Sequence, residues 1–213
     1  MEAKVKRAYD NSRRRAAAAS ARTRIIDGAA ALFTERGYGA TTIEDIAAAA
    51  GVSRATVFAS AGAKPALLKA AFDATLAGDH LPVPMSERPE AKAMEAEPDP
   101  GRMLDYYAEV ATGRARRIAP LQAVIRHAAG ADADVAALWN ETEAQRRRGA
   151  GIVVARLRRK AGPHSQLPDE RAADVVWIVI DAALYRSLVT DRGWPEPEYT
   201  AWLAHSLRAQ LLR

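Results

Sequence analysis

Ser53, Arg54, Thr56 and Ser60 stand within eight residues of one another, behind a tight Ala50-Gly51-Val52-Ser53 junction. Hydroxyls and a guanidinium at this spacing on one short helix suit recognition of an anionic, hydrogen-bonding surface rather than bond-making. Residues for bond-making are scattered. His80, His127, His164 and His205 form no His-x-x-x-His pair, and the chain has no cysteine, no phosphate-binding glycine loop and no serine in a nucleophile-elbow context. We therefore assign no catalytic residues, no metal ligands and no cofactor, and expect a protein that is not an enzyme.

The elements that would position these side chains lie in Thr41–Lys64, TTIEDIAAAAGVSRATVFASAGAK. Thr41 followed by Glu44 is a capping-box pattern, so a helix starts there. Ile43, Ile46, Ala47 and Ala50 give it one apolar face, and Gly51 is placed to close it in a left-handed conformation. Ser53 then caps a second helix whose first turn carries Arg54 and Thr56, with Val57 turned inward. The spacing is that of a helix-turn-helix. Small alanines let the first helix pack closely behind the second, whose exposed residues Ser53, Arg54, Thr56, Phe58 and Ser60 are expected to face DNA. By itself the segment suits an ordinary αα-hairpin in a helical core equally well.

Charge favours the first reading. The 213 residues carry 31 Lys and Arg against 26 Asp and Glu, a formal charge of +5. Before Ile25 stand Lys4, Lys6, Arg7, Arg13, Arg14, Arg15, Arg22 and Arg24, opposed only by Glu2 and Asp10. Residues 1–20 hold few large apolar side chains, so they read as a flexible basic arm that would meet a polyanion. The N-terminus lacks a signal peptide's apolar core and no stretch is long and apolar enough for a bilayer; a soluble, cytoplasmic protein without membrane contact is expected.

Around the pair, Ile25, Ile26, Ala29, Ala30 and Phe33 stripe a helix from Ala21 to Arg36, ended by Gly37. Lys64 and Pro65 open a helix running to Gly78. Five prolines between Asp79 and Gly101 mark a boundary, with a short helix possible over Pro89–Ala96. Domains are thus expected at 1–20, 21–78 and 79–213. The last is read as helices over 102–118, from Pro120 to about 129, from an Asp132 cap to 161, from an Asp169 cap to 191, and over 197–213. The run VVWIVIDAALYRSLV, Val175–Val189, is apolar on more than one side. One side suits its own core and another a partner subunit, so a homodimer through helices 169–191 and 197–213 is expected. Tyr106, Tyr107, His127, Trp139, Trp177 and Tyr185 are candidate ligand-binding residues, because mixed aromatic and polar walls suit small-molecule sites. The arginine runs at 146–148 and 156–160 read as solvated helix faces.

With the IIDGAAALF run, Gly37, Thr41-Thr42 before Ile43, Ile46 with Ala47, the 50–53 turn, and Lys64 with Leu67 and Leu68 in register, Arg22 to about Phe72 resembles the DNA-binding domain of the TetR family of bacterial transcriptional regulators. The resemblance implies an all-α chain: an N-terminal helix-turn-helix domain, then a larger helical effector-binding and dimerisation domain. It implies a homodimer on a near-palindromic double-stranded operator, released by a small-molecule effector, and adds Arg22, Thr41, Thr42 and Lys64 to the DNA-facing set. The sequence departs from the family at Phe58, Ser60 and Ala61, where a Tyr, a His and a Phe are usual. The alternative is a ligand-independent or nucleoid-type DNA-coating protein, which would not need so large a second domain.

Overall fold

A computed structural model describes the backbone of residues 2–161 and 167–212 and the side chains of 13–160 and 167–212. Every regular element among them is helical. α1 (Glu2–Ala40) buries Ile25, Ile26, Ala29, Leu32 and Phe33 along one stripe. Residues 2–20 continue this helix, where the sequence reading gives a flexible arm. That reading weighs apolar content, which governs packing, whereas alanine and arginine propagate a helix from a packed segment without burial. At Gly37 the backbone leaves helical geometry with φ 80°, a value open to glycine at little cost. The turn lets Tyr38 stack on Phe33, with centroids 5.8 Å apart.

The capping box of α2 (Ile43–Ala50) is one residue later than expected. Thr42, not Thr41, is the N-cap, and it is paired reciprocally with Asp45 rather than with Glu44. The adjacent pairs Thr41-Thr42 and Glu44-Asp45 satisfy the same spacing, and packing decides between them. Thr41 is fully buried, with its hydroxyl donating to the carbonyls of Gly37 (2.8 Å) and Leu32 (3.2 Å). Gly51, at φ 65°, closes α2, and Val52 N–H reaches back to Ala47 O at 3.0 Å. Ser53 caps α3 (Arg54–Ala61), and α4 (Lys64–Ala77) follows.

The proline-rich connection holds a single 3-10 turn (Met85–Glu87) and α5 (Pro89–Ala96). Arg88, buried, grips both oxygens of Asp79 at 2.7 and 3.0 Å. α6 (Pro100–Ala128) runs unbroken through Pro120, where the sequence suggests a new start. Pro120 is exposed, so water can replace the bond it removes, while Ile118, Leu121 and Ile125 hold the helix by burial. Asp132 caps α7 (Ala133–Ala161) through the N–H groups of Asp134 and Val135.

The expected helix 169–191 is three pieces. α8 (Asp169–Val179) ends at Ile180; Asp181 caps α9 (Ala182–Tyr185), which passes into a π-helical turn (Arg186–Asp191). No Gly or Pro announces this break. Its cause is Asp181, whose carboxylate accepts from Ala183 N–H (2.9 Å), Gln122 Nε2 (3.2 Å) and Arg146 Nη2 (3.3 Å). α10 (Glu196–Leu211) packs on α6. α6 also receives α1 and α4, so one helix joins the two halves of the molecule. No described helix is long and apolar enough to cross a membrane.

Candidate nucleic-acid interface and ligand cavity

α3 turns only Val57 fully inward. Its cap, Ser53, accepts from Thr56 N–H at 3.1 Å, and the two hydroxyls lie 2.8 Å apart. Ser53, Arg54 and Phe58 are exposed, Thr56 and Ser60 half-buried. The Arg54 guanidinium lies over the Phe58 ring and pairs with Glu44 of α2 at 2.9 Å. Two arginines of α1 close the other ends: Arg22 donates to Ser60 O, and Arg24 to Ala50 O at 3.1 Å. Thr42 is exposed at the start of α2. Arg22, Ser53, Arg54, Thr56, Phe58 and Ser60 therefore form one connected edge.

Two members of the expected set are placed differently. Thr41 is withdrawn from any surface by its burial and its two internal hydrogen bonds. Lys64 lies 4.2 Å from the Tyr38 ring centroid. Burial lowers the Lys64 pKa, and burial together with Asp132 pushes the Tyr38 hydroxyl up to about 12. Lys64 thus meets the junction with the α6–α7 connection as well as the head.

A second feature is a cavity of about 260 Å³ between α4, α5, α6 and α7, capped by Ile180. Phe72 and Leu76 of α4, Met94 of α5, Ile118 of α6 and Val153 of α7 give it apolar walls. Arg114, Arg146 and Arg156 line it, and no Asp or Glu does. Arg146 is matched by Glu143 and by Asp181 (3.3 Å), and Arg156 by Glu95 (2.8 Å). Tyr107 is buried in the wall, its hydroxyl pushed up to about 12 by burial and so held neutral. Gln122, 5 % exposed, donates to Asp181 and leaves its Oε1 buried without a partner.

The sequence-level ligand set is not gathered here. Of its six members only Tyr107 lines the cavity. Tyr185 donates to Glu196 at 2.7 Å and meets the edge of Tyr199; with His127 it borders an open groove beside Tyr38. Trp139 packs under Arg126, and Tyr106 is half-buried on α6. Trp177 stands behind the wall, its ring under the Arg146 guanidinium and its carbonyl accepting from it. Helical spacing identifies side chains that face a neighbour, but not which of several neighbours encloses empty space.

Residues 25–71 match the family model described as bacterial regulatory proteins, tetR family. The chain carries a TetR-family DNA-binding domain. No curated protein sequence matches it. Among solved structures, a TetR-family regulator from Rhodococcus sp. superposes with a TM-score of 0.71 at 13% identity, over 91% of this chain and 99% of that one. A transcriptional regulator from Saccharomonospora viridis, solved with choline, gives 0.68 at 18%, covering 91% and 98%. One from Pseudomonas aeruginosa PAO1 gives 0.68 at 16%, covering 88% of each chain. At these identities the likeness is one of fold, and it extends the TetR architecture beyond the matched domain.

Beyond the segment that matches the TetR family, the arginine runs are in large part a correction to the sequence reading. Arg147 pairs with Asp174 (2.7 Å) and Arg158 with Asp169 (2.9 Å), fastening α7 to α8; Arg156 and Arg159 both pair with Glu95 of α5. These four are inter-helix ties rather than parts of a solvated face, while Arg148 is exposed as expected. Sequence reasoning missed Arg114 and Gln122 entirely. The available signal was that both interrupt an otherwise small or apolar face of a core helix, at Ala111, Ala115, Ile118 and Ala119.

Proposed function

We propose that this DNA-binding regulator is a homodimeric cytoplasmic repressor whose α3 reads a near-palindromic operator and whose grip is released by a small molecule in the 260 Å³ cavity. In this reading residues 21–78 form the DNA-binding domain and 79–213 the effector and dimerisation domain. Ser53, Arg54, Thr56, Phe58 and Ser60 face the groove, while Thr42, Arg22 and Lys64 border the backbone. The observation that carries the release mechanism is the position of α4. Its Phe72 and Leu76 line the cavity, and its last carbonyls, Thr75 O and Leu76 O, each accept from Arg117 of α6 at 3.1 Å. A ligand that moves α6 therefore moves the helix behind the reading head, and changes the spacing of two heads from the roughly 34 Å that one DNA turn requires.

Dimerisation through α8–α10 is supported by Ile178, 55 % exposed on α8, and by the half-exposed Trp177 and Trp202. Selecting bound sequences from a random DNA pool, then footprinting the winner, tests the reading. A discrete, two-fold symmetric footprint is expected; continuous protection without a preferred sequence would establish a DNA-coating protein instead. Light scattering of the same sample should give twice the 23.0 kDa chain mass.

A further inference from the structure

Resting on the cavity being the effector site, we infer that its ligand is an amphipathic anion: a small carboxylate-class acid with an apolar body and a hydrogen-bond donor at its far end. The cavity lining contains three arginines and no acid, and the three are not equivalent. Arg146 and Arg156 are ion-paired. Arg114 makes no hydrogen bond or ion pair with any described residue. Burial, first, lowers its pKa; Tyr107 and Glu90 of α5 act the other way only at Coulombic range, and Arg117 and Arg88 oppose its charge. A guanidinium largely withdrawn from water with no carboxylate in contact is costly, and an anion supplied from outside offsets that cost.

Two further groups define the rest of the ligand. The neutral Tyr107 hydroxyl, two helical turns before Arg114 on α6, is a donor that a carboxylate can share. Gln122 lies two turns beyond Arg114, about 12 Å along the helix axis. Its amide orientation is fixed, because Nε2 must donate to the Asp181 carboxylate, so the orphaned Oε1 asks for a donor. Between them the wall is Ala115 and Ile118, with Leu76 and Phe72 across. The volume lies at the small end of ligand pockets, which suits a short-chain or single-ring acid. A quaternary ammonium such as choline, the ligand of the Saccharomonospora relative, would meet only positive charge here.

Calorimetric titration of the full chain with matched series tests this: n-alkanoates of six to ten carbons, the corresponding alcohols, and the alkyltrimethylammonium ions. Alkanoates should bind at least tenfold more tightly than alcohols of equal length, and ammonium ions not at all. Arg114→Gln should abolish the alkanoate preference while leaving alcohol binding within about twofold, and terminal hydroxylation of the alkanoate should help wild type but not Gln122→Met. Ala115→Phe, which fills the cavity, should block every probe. Alcohols binding as well as alkanoates, or a preference surviving Arg114→Gln, overturns the anion while the cavity stands as the site. No binding by any probe, or binding that survives Ala115→Phe, overturns both.

Discussion

Arg54 lies 2.9 Å from Glu44, so the arginine at the start of the recognition helix is held in the free protein by a carboxylate of the helix packed behind it. Both groups are well exposed, and such a pair contributes only about 0–1 kcal/mol. It is weak enough to open for phosphate or guanine, yet occupied enough to compete. Glu44→Gln should therefore raise operator affinity up to about fivefold. Arg54→Ala should cost about 1–3 kcal/mol. Fluorescence anisotropy on an operator variant panel separates the roles: relaxed preference at one position per half-site marks a base contact, uniform weakening a phosphate contact, and no change removes Arg54 from the interface.

Phe58 stands exposed beneath the same guanidinium, at the position where a phenolic hydroxyl is usual in the family. Phe58→Tyr adds one donor without altering the ring. Affinity should rise about tenfold at low salt, in keeping with a hydrogen bond to a charged group worth about 1.5 kcal/mol. Unchanged binding would place the ring away from the DNA backbone.

The basic start of α1 should supply attraction without sequence preference. Arg13, Arg14 and Arg15 are exposed on a helix that leads directly into the reading head. Deleting residues 2–20 should lower affinity on all sequences and flatten the salt dependence by roughly 0.9 per lost phosphate contact. A slope identical to that of the full chain would show that these arginines do not reach DNA.

Asp79 provides a pH signature. Its hydrogen bonds from Arg88, first, and from Leu81 N–H hold its pKa near 2, below the ordinary 3.8. A depressed folded-state pKa contributes stability that is complete above the unfolded value and is lost as pH falls through the folded one. Asp79→Asn should therefore lower Tm at pH 6, with the deficit against wild type shrinking between about pH 4 and pH 2. A deficit constant across that window would show that the charge is not what matters.

Arg146 joins Glu143, Asp181 and the Trp177 carbonyl and stacks on the Trp177 ring, all in a half-buried setting. Arg146→Ala leaves two carboxylates facing each other with little water, a loss of the order of 3 kcal/mol by urea denaturation. Restoring more than half of the loss with the further change Asp181→Asn would identify the carboxylate as the cause. No restoration would point to lost packing on Trp177.

The reading head was legible because its signals are local. Gly51, Ser53 and the apolar spacing of α2 act within one or two turns, and the cap was misplaced by one residue, between two Thr-x-x-acid pairs that the sequence makes equivalent. The C-terminal half was legible as helices, and Asp132 and the Pro89–Ala96 segment were found at their ends. Its site was not. Arg114 gains its meaning from what is missing around it in space, and Asp181 breaks a long apolar run by partners 35 and 59 positions away. Local spacing marks Arg114 only as a polar interruption of an apolar face, and does not mark the Asp181 break at all. Arg147, Arg156, Arg158 and Arg159 of α7 were misread for the same reason: their carboxylates come from α5 and α8.

Arg117 wraps the last carbonyls of α4 from only one helical turn beyond Arg114, and its guanidinium lies 3.3 Å from the position a Cβ on Gly78 would occupy. Under the proposed release mechanism, sensing and actuation share a single rod, with about 4.5 Å of it between them. The opposite walls, contributed by α5 and α7, take no part in the Arg117 contacts; α7 meets α4 separately, where Lys69 pairs with Glu141 at 3.9 Å. Exchange of Met94, Val153 or Ile152 can retune what the chamber accepts while the gearing to the head stays intact, so chemical selectivity and signal transmission are free to diverge independently within one fold.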